Sequence, residues 1–159
     1  MSLQSPVGSD HQLARLLQIG VVLEEVVEAR AAKHAAESEE IDEEVRTLLE
    51  EATEESADHR ERLERLVEGL NAETIPFDEI QALVERQYEA DQDFDGILYD
   101  QLCNEETAYK FYDDLIEAIE ESDAQFGIDR DRLLTTLRDI REDEAEGVED
   151  VTRLMEARE

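Results

Sequence analysis

The side chains of this sequence that could do chemistry are mostly carboxylates. Beside them stand three histidines, His11, His34 and His59, and one cysteine, Cys103. The densest run is Asp91-Gln92-Asp93-Phe94-Asp95-Gly96-Ile97-Leu98. It follows the first eight positions of an EF-hand calcium loop, with acids first, third and fifth, Gly sixth and an apolar residue eighth. The twelfth position, where such a loop places a bidentate Glu, is Leu102, so the strongest ligand is missing. Calcium held by Asp91 to Gly96 is one expectation. The simpler one is an Asp-rich turn that caps the following helix. One cysteine can form neither an internal disulfide nor a thiolate metal cluster. The sequence contains no Gly-rich phosphate loop, nucleophile elbow or Cys/His zinc spacing.

The elements that must position these groups are helices. Pro6, Gly8, Pro76, Gly96 and Gly127 fall where the apolar period also breaks. A first helix is predicted from about His11 to Glu37, opened by Ser9-Asp10, with Leu13, Leu16, Leu17, Gly20, Leu23, Val27 and Ala31 at three-four spacing. After a break at Ser38 to Glu40, a second runs from about Ile41 to Leu70 on Val45, Leu48, Leu49, Ala52, Leu63 and Leu66. A shorter amphipathic piece, Phe77 to about Ala90, reads as a crossover. The third long helix, about Ile97 to Ser122, carries Leu98, Leu102, Ala108, Phe111, Tyr112, Leu115 and Ile119, and the fourth covers Asp129 to Glu156. Nothing alternates with period two. The prediction is one all-α domain over 1–159 with a flexible start at 1–9: a four-helix bundle with a short crossover helix between the second and third long helices.

Two hairpins of this bundle echo one another. Glu54-Glu55-Ser56-Ala57-Asp58-His59 pairs with Glu142-Asp143-Glu144-Ala145-Glu146-Gly147, and Glu28-Ala29-Arg30-Ala31-Ala32-Lys33 pairs more weakly with Glu105-Glu106-Thr107-Ala108-Tyr109-Lys110. A pseudo-twofold relation between the hairpins is expected.

Composition limits the partners. The 159 residues carry 46 acidic against 15 basic side chains, a formal charge of −31, with 40% hydrophobic residues. That apolar content is enough for a folded core, unlike a disordered acidic chain. Such a charge repels phosphate backbones and anionic bilayers, which excludes nucleic-acid and membrane-surface binding as the main activity. Acids spread along the whole chain and only two lysines, Lys33 and Lys110, point to a protein adapted to concentrated salt, where the screening length falls to about 3 Å. With no signal-like apolar start and no run of the ~18 apolar residues a membrane span needs, a cytoplasmic location is expected.

The segment Asn104-Glu105-Glu106-Thr107-Ala108-Tyr109-Lys110-Phe111-Tyr112 resembles the ferritin-like superfamily, in its rubrerythrin-like branch. There, Glu-x-x-Ala-x-x-Phe-Tyr gives one carboxylate to a di-iron site, and the second and fourth helices each carry Glu-x-x-His. The resemblance implies that Glu105 is a ligand. In the fourth helix Glu144 keeps the acid while Gly147 stands in place of the His; in the second His59 is kept and Ser56 replaces the Glu. Glu55, one turn before His59, can substitute. For the first helix the repeat indicates Glu28. Axial level instead favours Glu24, since Glu28 lies on the order of 10 Å away from the height of His59 at 1.5 Å per residue. Glu25 and Glu28 stay in reserve.

The implied metal set is thus Glu24, Glu28, Glu55, His59, Glu105 and Glu144. Four carboxylates facing one interior need protons or cations, and two divalent ions would balance them. Oxygen-rich ligation with one imidazole suits iron or manganese, as a dinuclear centre. The resemblance implies iron or peroxide handling, with a separate electron-donor protein, because one cysteine provides no rubredoxin-type centre. A homodimer formed through an apolar helix face is also expected. The competing expectations are a metal-free interaction or structural bundle and the calcium protein described above.

Overall fold

The computed structural model describes residues 7–37, 42–74, 76, 78, 79, 82 and 96–158. Among them are four long helices and no strand: α1 Asp10–Glu37, α2 Glu43–Glu68, α3 Ile97–Glu120 and α4 Arg130–Glu156. Each start has a local cause. Ser9 Oγ accepts from the Gln12 N–H at 3.2 Å, Asp42 from Val45 at 3.0 Å and Asp129 from Arg132 at 3.2 Å, so three helices open on side-chain caps. The α3 start follows Gly96, whose φ of 120° is open to glycine and strained for other residues. Each observed helix lies within a residue or two of its predicted span. The crossover at 77–90 lies almost wholly, and the acidic run Asp91 to Asp95 wholly, outside the described residues.

Contacts at the two ends fix the directions. At one end the Asp10 carboxylate accepts backbone N–H groups of Asn71 (3.0 Å) and Gly127 (2.9 Å), and Ser122 Oγ donates to the Val7 carbonyl. At the other, Arg46 donates to the Ala35 carbonyl, His34 meets Asp100 at 2.9 Å and Arg158 pairs with Asp42. Consequently α1 and α2 are antiparallel, α3 runs parallel to α2, and α4 runs in the same direction as α1, diagonally opposite it. Asn71 and Asp100 therefore lie at opposite ends of the bundle. Packing is most extensive within the α1/α2 and α3/α4 hairpins, less so between α1 and α3, and least between α2 and α4.

Each helix buries a stripe of alternating three- and four-residue steps, the seam of a bundle. In α2 it is Val45, Leu49, Ala52, Ser56, His59, Leu63 and Leu66; in α4 Leu133, Leu137, Ile140, Glu144 and Val151. Burying such a stripe is what holds these helices, since most helical stability in a protein comes from packing an apolar face. The apolar core is nonetheless split. One cluster gathers Leu13, Leu17, Leu63, Tyr112, Leu115, Leu137 and Ile140 with their neighbours; a smaller one gathers Ala31, Val45, Leu49 and Ala52. Between them the buried stripe turns polar on all four helices: Glu24, His59, Glu105 and Glu144. Among the described residues no helix is long and apolar enough to cross a membrane.

Candidate metal centre

Each polar residue in the gap sits where the seam would otherwise place an aliphatic one. Glu24 is 1% exposed, His59 0%, Glu105 5% and Glu144 4%, so all four have left water. His59 is the hub. Its Nδ1 lies 3.1 Å from Glu144 Oε1 and 3.4 Å from Glu24 Oε1, and its Nε2 lies 2.9 Å from Asp143 Oδ2 and 4.0 Å from Glu55 Oε1. Burial works against an imidazolium here, but the hydrogen bonds to Glu144, Glu24 and Asp143 outweigh it and hold the ring's pKa up at about 11. The ring is therefore doubly protonated at neutral pH, donating from both nitrogens.

The carboxylates are equally perturbed. Burial raises Glu144, and the hydrogen bond it shares with Glu105 raises it further. Glu105 is raised by burial too, although the same hydrogen bond and one from Gln101 work against the shift. Glu55, at the edge of the group, is lifted to about 7 by burial and by the neighbouring charge of Glu105. In the metal-free protein, protons on Glu144, Glu55 and His59 are thus what allow these groups to share a low-dielectric interior.

Supporting contacts come from α3. Tyr112, fully buried, donates its hydroxyl to Glu24 Oε1 at 2.6 Å, and Gln101 donates from Nε2 to Glu105 Oε1 at 2.7 Å, one turn along the helix. The phenol pKa is raised well above its usual value, by burial first and then by the negative charge of Glu24, so the proton stays on the donor. Two oxygens are left over: Glu24 Oε2 and Glu105 Oε2 are buried without a hydrogen-bond partner. In so polar a cluster, two buried lone-pair groups without a donor have room to accept a proton or a cation.

The side chains fall into overlapping triads whose ligand atoms lie within 4.8 Å of one another: Glu24, His59 and Glu144; Glu55, Glu105 and Glu144; and Glu55, His59 and Asp143. Glu144 belongs to the first two and could bridge two ions. The set fits a pair of oxygen-seeking divalent cations: four carboxylates, Glu24, Glu55, Glu105 and Glu144, and one imidazole that keeps a fifth, Asp143, on its far nitrogen.

Of the residues indicated by the sequence, Glu24, Glu55, His59, Glu105 and Glu144 come together. Glu28 does not. With Glu25 it pairs with Arg60, at 2.7 Å and 2.5 Å, on the partly exposed flank of α1 and α2. Burial, only partly countered by Arg60, raises its pKa. His34 pairs with Asp100, and His11 is exposed. Asp143 and Gln101 carry no role in the sequence reading, and Tyr112 reads there as bundle packing, whereas its hydroxyl also donates to Glu24. Gln101 was findable one turn before Glu105. Asp143 was not, because its function depends on a histidine 84 positions away on another helix.

The chain matches no family model, no curated protein and no solved structure.

Proposed function

We propose that this chain is a ferritin-like metalloprotein whose interior holds two divalent cations, iron or manganese, and that it serves iron or peroxide handling. The observation that supports this reading is the meeting of Glu24, His59, Glu105 and Glu144 from four different helices at one level of the core, with two carboxylate oxygens unsatisfied. Buried acids without cations cost stability, and an apolar residue at the same seam position would pack better. A bound pair of iron ions would supply electron-transfer chemistry toward dioxygen or peroxide. The protein's own part is to fix the ligands. Tyr112 orients Glu24, Gln101 orients Glu105, and Asp143 holds the His59 Nε2–H so that Nδ1 is the nitrogen offered inward. On metal loading the protons on Glu144, Glu55 and His59 leave. With no cysteine pair in the chain, electrons would come from a separate donor protein.

Equilibrium dialysis against Mn²⁺ under argon tests the reading. The wild type should take up about two equivalents, and His59→Ala with Glu144→Ala should take up none. Binding that survives both substitutions would place the ions elsewhere.

A metal-free structural bundle is the second reading. It is favoured by one observation, that His59 is already hydrogen-bonded at both ring nitrogens. Of the candidate calcium run Asp91 to Gly96, the acids Asp91, Asp93 and Asp95 lie outside the described residues.

A further inference from the structure

Of the four packed helix pairs, α2 and α4 meet least extensively, and a small cavity at their seam reaches Glu55 and Glu105. On the outer side of that seam lies an open groove of about 580 Å³ whose lining includes Glu43, Glu44, Glu51 and Asp150. Arg153, also in that lining and 74% exposed, is drawn toward Glu149 and Asp150 at its rim. Beneath it is a cavity of about 40 Å³ that shares Leu48, Glu51 and Asp150 with the groove and is walled inside by Glu55, Glu105 and Gly147. A space of this size admits a water molecule or a bare ion and excludes a chelated one.

The inner wall is chemically specific. Glu105 Oε2 is buried and has no partner, and it points into the notch left by the missing side chain of residue 147, where a Cβ would stand 2.5 Å from it. Rows of acids above a low-dielectric cleft raise the local concentration of cations and speed their arrival. We infer that the α2/α4 groove is the path by which divalent cations reach the centre, with Glu51 and Asp150 as the steering acids and the Gly147 notch as the point of delivery to Glu105. This inference rests on the metal-binding reading above.

A second acidic groove provides the comparison. It lies between α3 and α4, holds about 600 Å³ and is lined by Glu106, Asp113 and Glu149 among others, yet includes none of the central ligands. The test is stopped-flow uptake of Co²⁺ by the full chain, followed by quenching of tyrosine fluorescence, since the protein has no tryptophan. In about 0.1 M KCl the double variant Glu51→Gln/Asp150→Asn should load about five-fold more slowly than wild type, with the final stoichiometry unchanged. The difference should shrink below about two-fold in about 2 M KCl, and Glu106→Gln/Asp113→Asn should load at the wild-type rate. Wild-type rates for the first variant, or equal slowing in both, overturn the path and leave the centre standing. A wild type that binds no Co²⁺ overturns both.

Discussion

Glu105 occupies the space that a side chain at position 147 would fill: a Cβ on Gly147 would lie 2.5 Å from its Oε2 and 2.7 Å from its Cδ. The position from which the family resemblance would draw a histidine is here a hollow taken by a carboxylate from the neighbouring helix. Gly147→Ala therefore sets two effects against each other. Alanine favours the helix by about 1 kcal/mol, while its methyl group pushes the Glu105 carboxylate out of the notch. The variant should melt no lower than wild type after chelator treatment, and should bind Mn²⁺ about ten-fold more weakly. Calorimetry of the two proteins reads both quantities.

Replacing the acid itself should separate a ligand from a structural residue. Glu105→Leu removes a carboxylate that burial and the nearby charges of Glu24 and Glu55 disfavour, and in chelator-treated protein it should raise stability by about 1 kcal/mol. With Mn²⁺ at about a hundred times its dissociation constant, wild type should gain about 2.7 kcal/mol and the variant much less. Denaturant melts with and without metal would show the order of stabilities reversing. Equal metal stabilisation of both proteins would remove Glu105 from the ligand set.

The pH dependence has a definite sign. Glu55 has a folded pKa of about 7, raised above the ordinary carboxylate value, and His59 one of about 11, raised above that of free imidazole. Groups raised in this way stabilise the metal-free fold below their unfolded pKa, and that stability is lost as pH climbs through the folded value. Metal-free protein should therefore weaken steadily from about pH 5 upward. Metal affinity should move the opposite way, because the same protons must leave. Titrations in buffers of different ionisation enthalpy should find about one more proton released at pH 6 than at pH 8, the share of Glu55.

The surface makes its own prediction. With a formal charge of −31 the bundle repels itself in dilute buffer, and screening relieves this. The melting temperature should rise on the order of 10 °C between about 0.1 M and about 2 M KCl. A salt-independent melt would contradict adaptation to brine.

Much of this was readable from the sequence, for identifiable reasons. Three-four spacing of leucines and valines set the four helices, and Ser9, Asp42 and Asp129 are capping residues in the positions where helices begin. Axial rise and the inward stripe of Leu13, Leu17, Gly20 and Val27 favour Glu24 over Glu28, and the two lie in different surroundings, one inside beside His59 and Tyr112, the other on the flank with Arg60. What spacing along one helix could not disclose was contact across helices. Asp143 sits one residue from an inward-facing Glu and becomes important only through His59. Similarly, Gly147 reads from the sequence as a lost ligand, whereas in the fold its missing side chain makes room for Glu105.

Elemental analysis of protein purified without chelator tests the proposed centre most directly. Iron, manganese or both should be present at about two equivalents per chain, and at less than about one-tenth of that in the Glu24→Ala/His59→Ala variant. Wild-type protein carrying less than about a tenth of an equivalent of any transition metal, and taking up none on anaerobic addition of Fe²⁺, would mean that Glu24, His59, Glu105 and Glu144 share protons alone.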